Sequence, residues 1–212
     1  MIKTIIFDFD GVIADSVQVK TKAFSQIYSP YGKDVVNKVV AHHLANGGVS
    51  RIEKFKLYHK IFLCKNLNNQ QLENLAGKFS EMVVEKVINA PYVKGAYKFL
   101  SENHGKYNYF ISSGTPESEI REIAKQRKID NYFKGIFGSP NTKDEHVQKI
   151  LRMYGFKKSE VVFVGDAPSD RDAAKINGTH FIARVTTKSS ILDERLTIKD
   201  LTELEMSLKN FY

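Results

Sequence analysis

Along the chain, apolar positions first run together and then spread out to helical spacing. Ile5-Ile6-Phe7 is an unbroken apolar run with β-branched members, the pattern of a strand buried on both faces. From Ser16 to about Ala90 the pattern becomes helical. Val17, Ala23, Phe24 and Ile27 recur at roughly helical spacing up to the break at Ser29-Pro30-Tyr31-Gly32. A second helix is expected from Asp34, with Val35, Val36, Val39 and Val40 on its apolar side, leading into the Gly47-Gly48-Val49-Ser50 loop. Ser50 opens a third helix with Glu53 as a capping-box partner and Phe55, Tyr58 and Phe62 along it. A fourth helix is expected over 69–88, with Leu72, Leu75, Phe79, Val83 and Val87. No strand is expected in this block.

After Pro91 short runs and helical stretches alternate. The pattern predicts a helix over 96–103, a strand over 107–112, and a helix that starts at Pro116 behind a Thr115 cap. A strand at 135–137 precedes a loop, 139–143, and a helix to Tyr154. A strand at 161–164 ends in Gly165-Asp166, a helix ends at Gly178, a last strand covers 180–185 and a terminal helix 201–210. Strands alternating with helices imply a parallel sheet with helices on both faces. The expected fold class is therefore α/β, a Rossmann-like parallel sheet with a helical insertion after the first strand. The expected domains are an α/β core from 1–15 and 91–212 and a helical domain over 16–90.

Composition alters this picture little. With 212 residues, 42% hydrophobic and 26% charged, the chain is ordinary for a globular protein with a sizeable core. Cys64 is the single cysteine, so no internal disulfide is available and a reducing compartment fits. Met1-Ile2-Lys3 leads straight into the first strand, which leaves no room for a cleavable signal, and no apolar run reaches membrane-spanning length. These features lead to the expectation of a cytoplasmic protein. The net charge is +8, but Lys54, Lys56, Lys60, Lys65, Lys125, Lys128, Lys157 and Lys158 are scattered rather than blocked. That is the pattern of a solvated surface, so neither nucleic acid nor membrane is an expected partner, while the field favours small anionic substrates. Nothing in the pattern fixes an oligomeric state.

The chemistry concentrates at strand ends, where open parallel sheets bind ligands. Asp8 and Asp10 follow the first strand at once, and Gly11 permits a bend that aims both carboxylates into one pocket. Two carboxylates in an apolar setting repel, and a cation relieves them. Mg²⁺ suits this role because it takes few carboxylates and keeps positions for water and phosphate oxygens. An acidic turn would look the same locally. The remaining strand ends carry Ser112-Ser113, Lys143 after Gly138-Ser139-Pro140-Asn141-Thr142, and Gly165-Asp166-Ala167-Pro168-Ser169-Asp170.

These stretches resemble, in order, the motifs of the haloacid dehalogenase-like hydrolase superfamily. Asp8-Phe9-Asp10-Gly11-Val12-Ile13-Ala14-Asp15-Ser16 matches its first motif, with Val12 where threonine is frequent. The helical insertion resembles the C1-type cap of that superfamily. The resemblance implies that Asp8 is a nucleophile forming an aspartyl-phosphate and Asp10 a general acid and base. Ser113, with Gly114 beside it, would hold a phosphate oxygen near a helix N-terminus. Lys143 would offset charge on nucleophile and phosphate. Mg²⁺ would be bound by Asp8, Asp166 and the Asp10 carbonyl, with Asp170 as a further metal-side carboxylate or as the holder of Lys143. Asp172 is expected to be solvated. An acid at position 10 favours phosphoryl transfer from oxygen. The implied activity is a Mg²⁺-dependent phosphatase acting on a small phosphorylated metabolite. Gly48-Val49-Ser50-Arg51 resembles the substrate loop of β-phosphoglucomutases, which makes Arg51 a candidate substrate ligand and a mutase the first alternative. A binding protein that has lost activity is the second. His42, His43, Lys54 and Tyr58 lie near the same loop, with surface or packing roles as the simpler expectation.

Overall fold

The structure is a computed structural model, and it describes residues 1–186, 192 and 194–211. At its centre is strand β1 (Thr4–Phe7), buried at every residue. The other strands are β2 (Asn108–Pro116), β3 (Phe133–Ser139), β4 (Val161–Gly165), β5 (His180–Arg184) and β6 (Thr197–Ile198). Among the described residues they form one six-stranded sheet in the order β3-β2-β1-β4-β5-β6, and every adjacent pair is parallel. The chain thus builds outward from β1 in one direction, then returns and builds in the other. A sheet that reverses its strand order in this way opens a crevice beyond the carboxyl ends of the two strands at the reversal.

The register decides what lines that crevice. Phe7 lies level with Ile111 of β2 and Val164 of β4. Asp8, Ser112 and Gly165 are therefore the first residues past one common line, and Asp10, Ser113 and Asp166 follow. Ile5 and Phe7 pack on one face of the sheet and Ile6 on the other. The apolar run is double-sided because both faces are covered. Phe7 meets the rings of Tyr109 at 5.4 Å and Phe99 at 6.3 Å, both edge-on.

Between β1 and β2 the chain forms α1 (Val17–Tyr28), α2 (Lys33–Ala45), α3 (Arg51–Phe62) and α4 (Asn69–Ile88). Ser50 accepts from the Glu53 N–H as the α3 cap, while the Glu53 side chain turns away to Lys56. The α4 start carries a reciprocal box, Asn68 with Gln71, which fixes that boundary. Rings of Phe24, Tyr28, Phe55, Tyr58 and Phe79 meet at the centre of these helices, with Phe24 and Phe79 centroids 4.6 Å apart. Arg127, directly after the helix that follows β2, donates from Nη1 to the carbonyls of Val87, Ile88 and Ala90 at 2.9, 2.8 and 2.7 Å. It caps the exit of α4 and ties it to the sheet layer.

Helices α5 (Ala96–Asn103), α6 (Glu117–Gln126), α7 (Lys143–Tyr154), α8 (Pro168–Asn177) and α9 (Leu204–Leu208) complete the layers. Three expectations need correction. β2 runs on to Pro116, because a register irregularity between Ser112 and Pro116 lets it continue, and α6 begins only at Glu117. Thr115 therefore does not cap α6; its hydroxyl accepts from Lys20 instead. The terminal segment is α9 flanked by tight turns at Leu201–Glu203 and Lys209–Phe211, with Leu201, Leu204 and Leu208 keeping the apolar spacing. β6 spans two residues and is too short to leave a periodic signal.

Candidate active site

The strand-end residues converge. One carboxylate oxygen each of Asp8, Asp166 and Asp170 lies within 4.8 Å of the others. Lys143, at the start of α7, reaches into this cluster and is itself buried. Its Nζ is 2.9 Å from Asp8 Oδ2 and 2.5 Å from Asp170 Oδ1. Asp170 also accepts from the Ala167 N–H at 3.0 Å. Asp170 thus holds Lys143 and closes the first turn of α8 while remaining part of the carboxylate cluster. Its packing is tight, since a Cβ at Gly165 would fall 2.2 Å from its own Cβ.

The electrostatics of the cluster suit a divalent cation. Burial pushes the Asp8 carboxyl up to about 7, against the pull of Lys143 and with Asp170 and Asp10 adding to the rise. Burial, then Asp8 and Asp170, holds Asp166 well above the carboxylate range. The pull of Asp170 and Asp8 outweighs burial at Lys143 and keeps it firmly charged. One ammonium thus faces three carboxylates, all of them hard oxygen donors, and a divalent cation would balance the remainder. A divalent cation bound there would lower the Asp8 carboxyl again.

Asp10 sits in a different setting. Its Oδ1 accepts from Ser16 Oγ at 2.6 Å and its Oδ2 from Lys20 Nζ at 2.5 Å. Burial alone would raise its pKa, but Lys20 and Ser16 together bring it below the ordinary value. Lys20 also donates to Thr115 Oγ1 at 2.6 Å, and so joins α1 to the end of β2. Sequence reasoning missed Lys20, although Ser16 and Lys20 are four apart and share one helix face.

Ser113 is buried, and its Oγ accepts from the Thr115 N–H at 3.1 Å. α6 starts at Glu117, three residues beyond Gly114, while Thr142 and Lys143 at the start of α7 line one pocket with Ser113 and Gly114. Gly114 has another neighbour: a Cβ there would lie 2.2 Å from the Gly48 carbonyl oxygen. The loop before α3 thus rests on the strand ends, and Ser169 Oγ donates to Gly47 O at 2.9 Å to hold it. Ser112 donates to His146 Nδ1 at 2.8 Å, and His146 Nε2 donates to Gly138 O at 3.1 Å.

Asp8, Asp10, Lys20, Phe24, His43, Gly48, Arg51, Lys54, Phe79, Gly114 and Asp166 are among the residues lining one pocket. Arg51 is in its wall but not free. Its guanidinium forks onto the Glu119 carboxylate of α6, with Nη1 at 3.0 Å from Oε2, donates to Ser80 Oγ at 2.6 Å, and lies over the Phe79 ring. His42 and Tyr58 bond to each other at 3.1 Å and do not line the pocket. Asp172 is exposed and pairs with Arg171, as a solvated residue should.

The sequence profile of haloacid dehalogenase-like hydrolases matches residues 5–184. The chain belongs to that family. Its similarity to individual members is distant but long. A phosphoglycolate phosphatase from Photorhabdus laumondii is 26% identical over 184 residues, 84% of this chain and 77% of that protein. Phosphoglycolate phosphatase 1 from Pseudomonas aeruginosa is 23% identical over 85% of this chain and 68% of that one. Among solved structures, a β-phosphoglucomutase from Clostridium difficile superposes with a TM-score of 0.81 at 18% identity, covering 100% of this chain and 97% of the other. A haloacid dehalogenase-like family hydrolase from Streptococcus pneumoniae gives 0.75 at 19% identity, covering 98% of both chains. In this family setting the Rossmann-like sheet with its inserted helices is the common fold. No helix among the described residues is long and apolar enough to cross a membrane.

Proposed function

We propose that the chain is a Mg²⁺-dependent phosphomonoesterase acting on a small phosphorylated metabolite through an aspartyl-phosphate on Asp8. The observation that carries this is the cluster of Asp8, Asp166 and Asp170 around Lys143 at the sheet's reversal point. Asp8, Asp166 and the Asp10 carbonyl would hold the ion, which would supply charge neutralisation at the phosphoryl oxygens and a lowered Asp8 pKa. Asp8 attacks phosphorus. Lys143 and the Ser113–Gly114 backbone balance the equatorial oxygens. Asp10, positioned by Ser16 and Lys20, is a carboxylate in the free site; it takes up a proton as the phosphate ester binds, passes that proton to the leaving oxygen, and then draws a proton from the water that cleaves the acyl-phosphate. Residues 16–90 act as a cap whose helices enclose the leaving group, and the loop at Gly47-Gly48 shuts against Gly114. Arg51, the residue behind the mutase alternative, is already held by Glu119, so the hydrolase is the better reading.

The test is hydrolysis of p-nitrophenyl phosphate. Turnover should require Mg²⁺, cease after EDTA and return on readdition. Asp8→Asn should remove it with the fold intact by circular dichroism, and beryllofluoride should attach to the Asp8 carboxylate. Full activity after exhaustive chelation, or in Asp8→Asn, defeats the proposal.

A further inference from the structure

We infer that Lys54 and His43 form a receptor for a second anionic group on the leaving part of the substrate, a carboxylate or a second phosphate. The inference rests on the phosphatase reading above and narrows its substrate class.

The pocket's cations differ in one respect. Lys20 is paired with Asp10 at 2.5 Å, and Arg51 with Glu119. Lys143, next to the pocket, is paired with Asp8 and Asp170. Lys54 is 2% exposed, yet among the described residues no carboxylate lies within ion-pair distance of it. Among the described residues its one polar partner is His43 Nδ1 at 2.9 Å. A charged Lys54 has only donors, so in that state Nδ1 accepts and the ring proton of His43 lies on Nε2. That Nε2 is buried and has no hydrogen-bond partner among the described residues. His43 itself is 7% exposed, and both side chains line the pocket that Asp8 and Asp10 enter.

The Lys54 head lies over the Phe24 ring, with Nζ 5.7 Å from its centroid. That contact is a weak cation–π attraction and supplies neither a counterion nor a hydrogen-bond acceptor. A buried amine without a counterion and a buried ring nitrogen without a partner are each unfavourable, and one anion with several acceptor oxygens relieves both. The electrostatics agree. Burial, with Lys20 and Lys143 nearby, brings Lys54 down to about 7. Burial, with Lys54 beside it, brings His43 down to about 3. The histidine stays neutral and the lysine is poised to take full charge when an anion arrives.

The experiment compares matched substrates on the full chain with Mg²⁺. One pair is 2-phosphoglycolate and 2-hydroxyethyl phosphate; the other is glucose 1,6-bisphosphate and glucose 1-phosphate. p-Nitrophenyl phosphate serves as the reference. We expect kcat/KM to favour the charged member of one pair by about tenfold or more, and the pair that does so separates carboxylate from phosphate recognition. Lys54→Met should lower that preference by about tenfold through KM, and Lys54→Arg should retain more of it. Turnover of p-nitrophenyl phosphate with charged and neutral members within about threefold in both pairs overturns the inference and leaves the phosphatase reading standing. Absence of turnover on every substrate defeats that reading, and the inference with it. Where Lys54→Met does not fold, His43→Gln gives the same comparison, and a charged-over-neutral preference undiminished in a folded variant of either residue overturns the assignment.

Discussion

The Arg51 guanidinium and the Glu119 carboxylate face each other as a fork, one from the helix after the glycine loop and one from the first turn after β2. Both are largely buried, with side-chain exposures of 4% and 12%. Removing one member of such a pair strands the other charge, at a cost of about 3–5 kcal/mol. Glu119→Ala should therefore lower the melting temperature by roughly 6–12 °C for a chain of this size, taking the low end of that cost. Arg51→Ala should cost a similar amount, and the double variant less than the two summed. Additive losses in a thermal double-mutant cycle would show that the fork contributes no coupling.

His146 makes stability depend on pH. Burial is the main cause, and it brings the ring down to about 4 from an ordinary 6.5. Between those values the unfolded chain binds a proton that the folded ring refuses, so unfolding gains as pH falls. The contribution of neutral His146 is complete above 6.5 and is lost progressively towards 4, by roughly 3 kcal/mol in full. The advantage of the parent over His146→Asn in melting temperature should narrow as pH falls from 7 to 4.5. A gap that stays constant across that range would mean the ring titrates normally.

Lys143 is the single ammonium among three crowded carboxylates. Lys143→Met should destabilise the chelated protein by about 3–5 kcal/mol. Mg²⁺ should return more of that loss to the variant than it adds to the parent, because the ion then carries the whole neutralising role. Melting curves with EDTA and with Mg²⁺ on both proteins measure this. Equal Mg²⁺ shifts would remove the charge argument for the site.

Gly114 tests the contact of loop and strand end. Gly114→Ala places a Cβ 2.2 Å from the Gly48 carbonyl oxygen, so the loop must lift. Activity on p-nitrophenyl phosphate should fall by roughly tenfold or more as the pocket opens. Gly105→Ala, where nothing lies within 4 Å, should leave it unchanged. Parent-like turnover in Gly114→Ala would mean that catalysis does not need the loop seated.

Much of this was legible in the chain because local and global signals agreed. Ile5-Ile6-Phe7 is apolar on both faces since helices cover both, and the carboxylates of Asp8 and Asp10 follow at the strand's end. Helix α4 matched its expected bounds because the Asn68–Gln71 box marks its start. What escaped were partnerships between distant elements. Nothing near Arg51 in sequence points to Glu119, 68 positions on, and the fork converts a free-looking loop cation into a fixed one. Lys20 gains its role only when α1 is laid beside Asp10 and Thr115. Thr115-Pro116 reads as a helix start, and only the irregular pairing with β3 shows it to be strand.

The seam where Gly48 meets Gly114 has one further consequence. Gly48 has a φ of +74°, and a Cβ there would lie 2.6 Å from Lys143 Nζ. Hydrogen is the smallest side chain available, and both positions already use it. The seam is therefore at its minimum width, and substitution at either position can only widen it. Any narrowing or reshaping of what the pocket admits has to come from residues set back from the seam, such as Leu44 and Lys54. Divergence in substrate choice is thus confined to helix faces, where side chains can change without prising the closure apart.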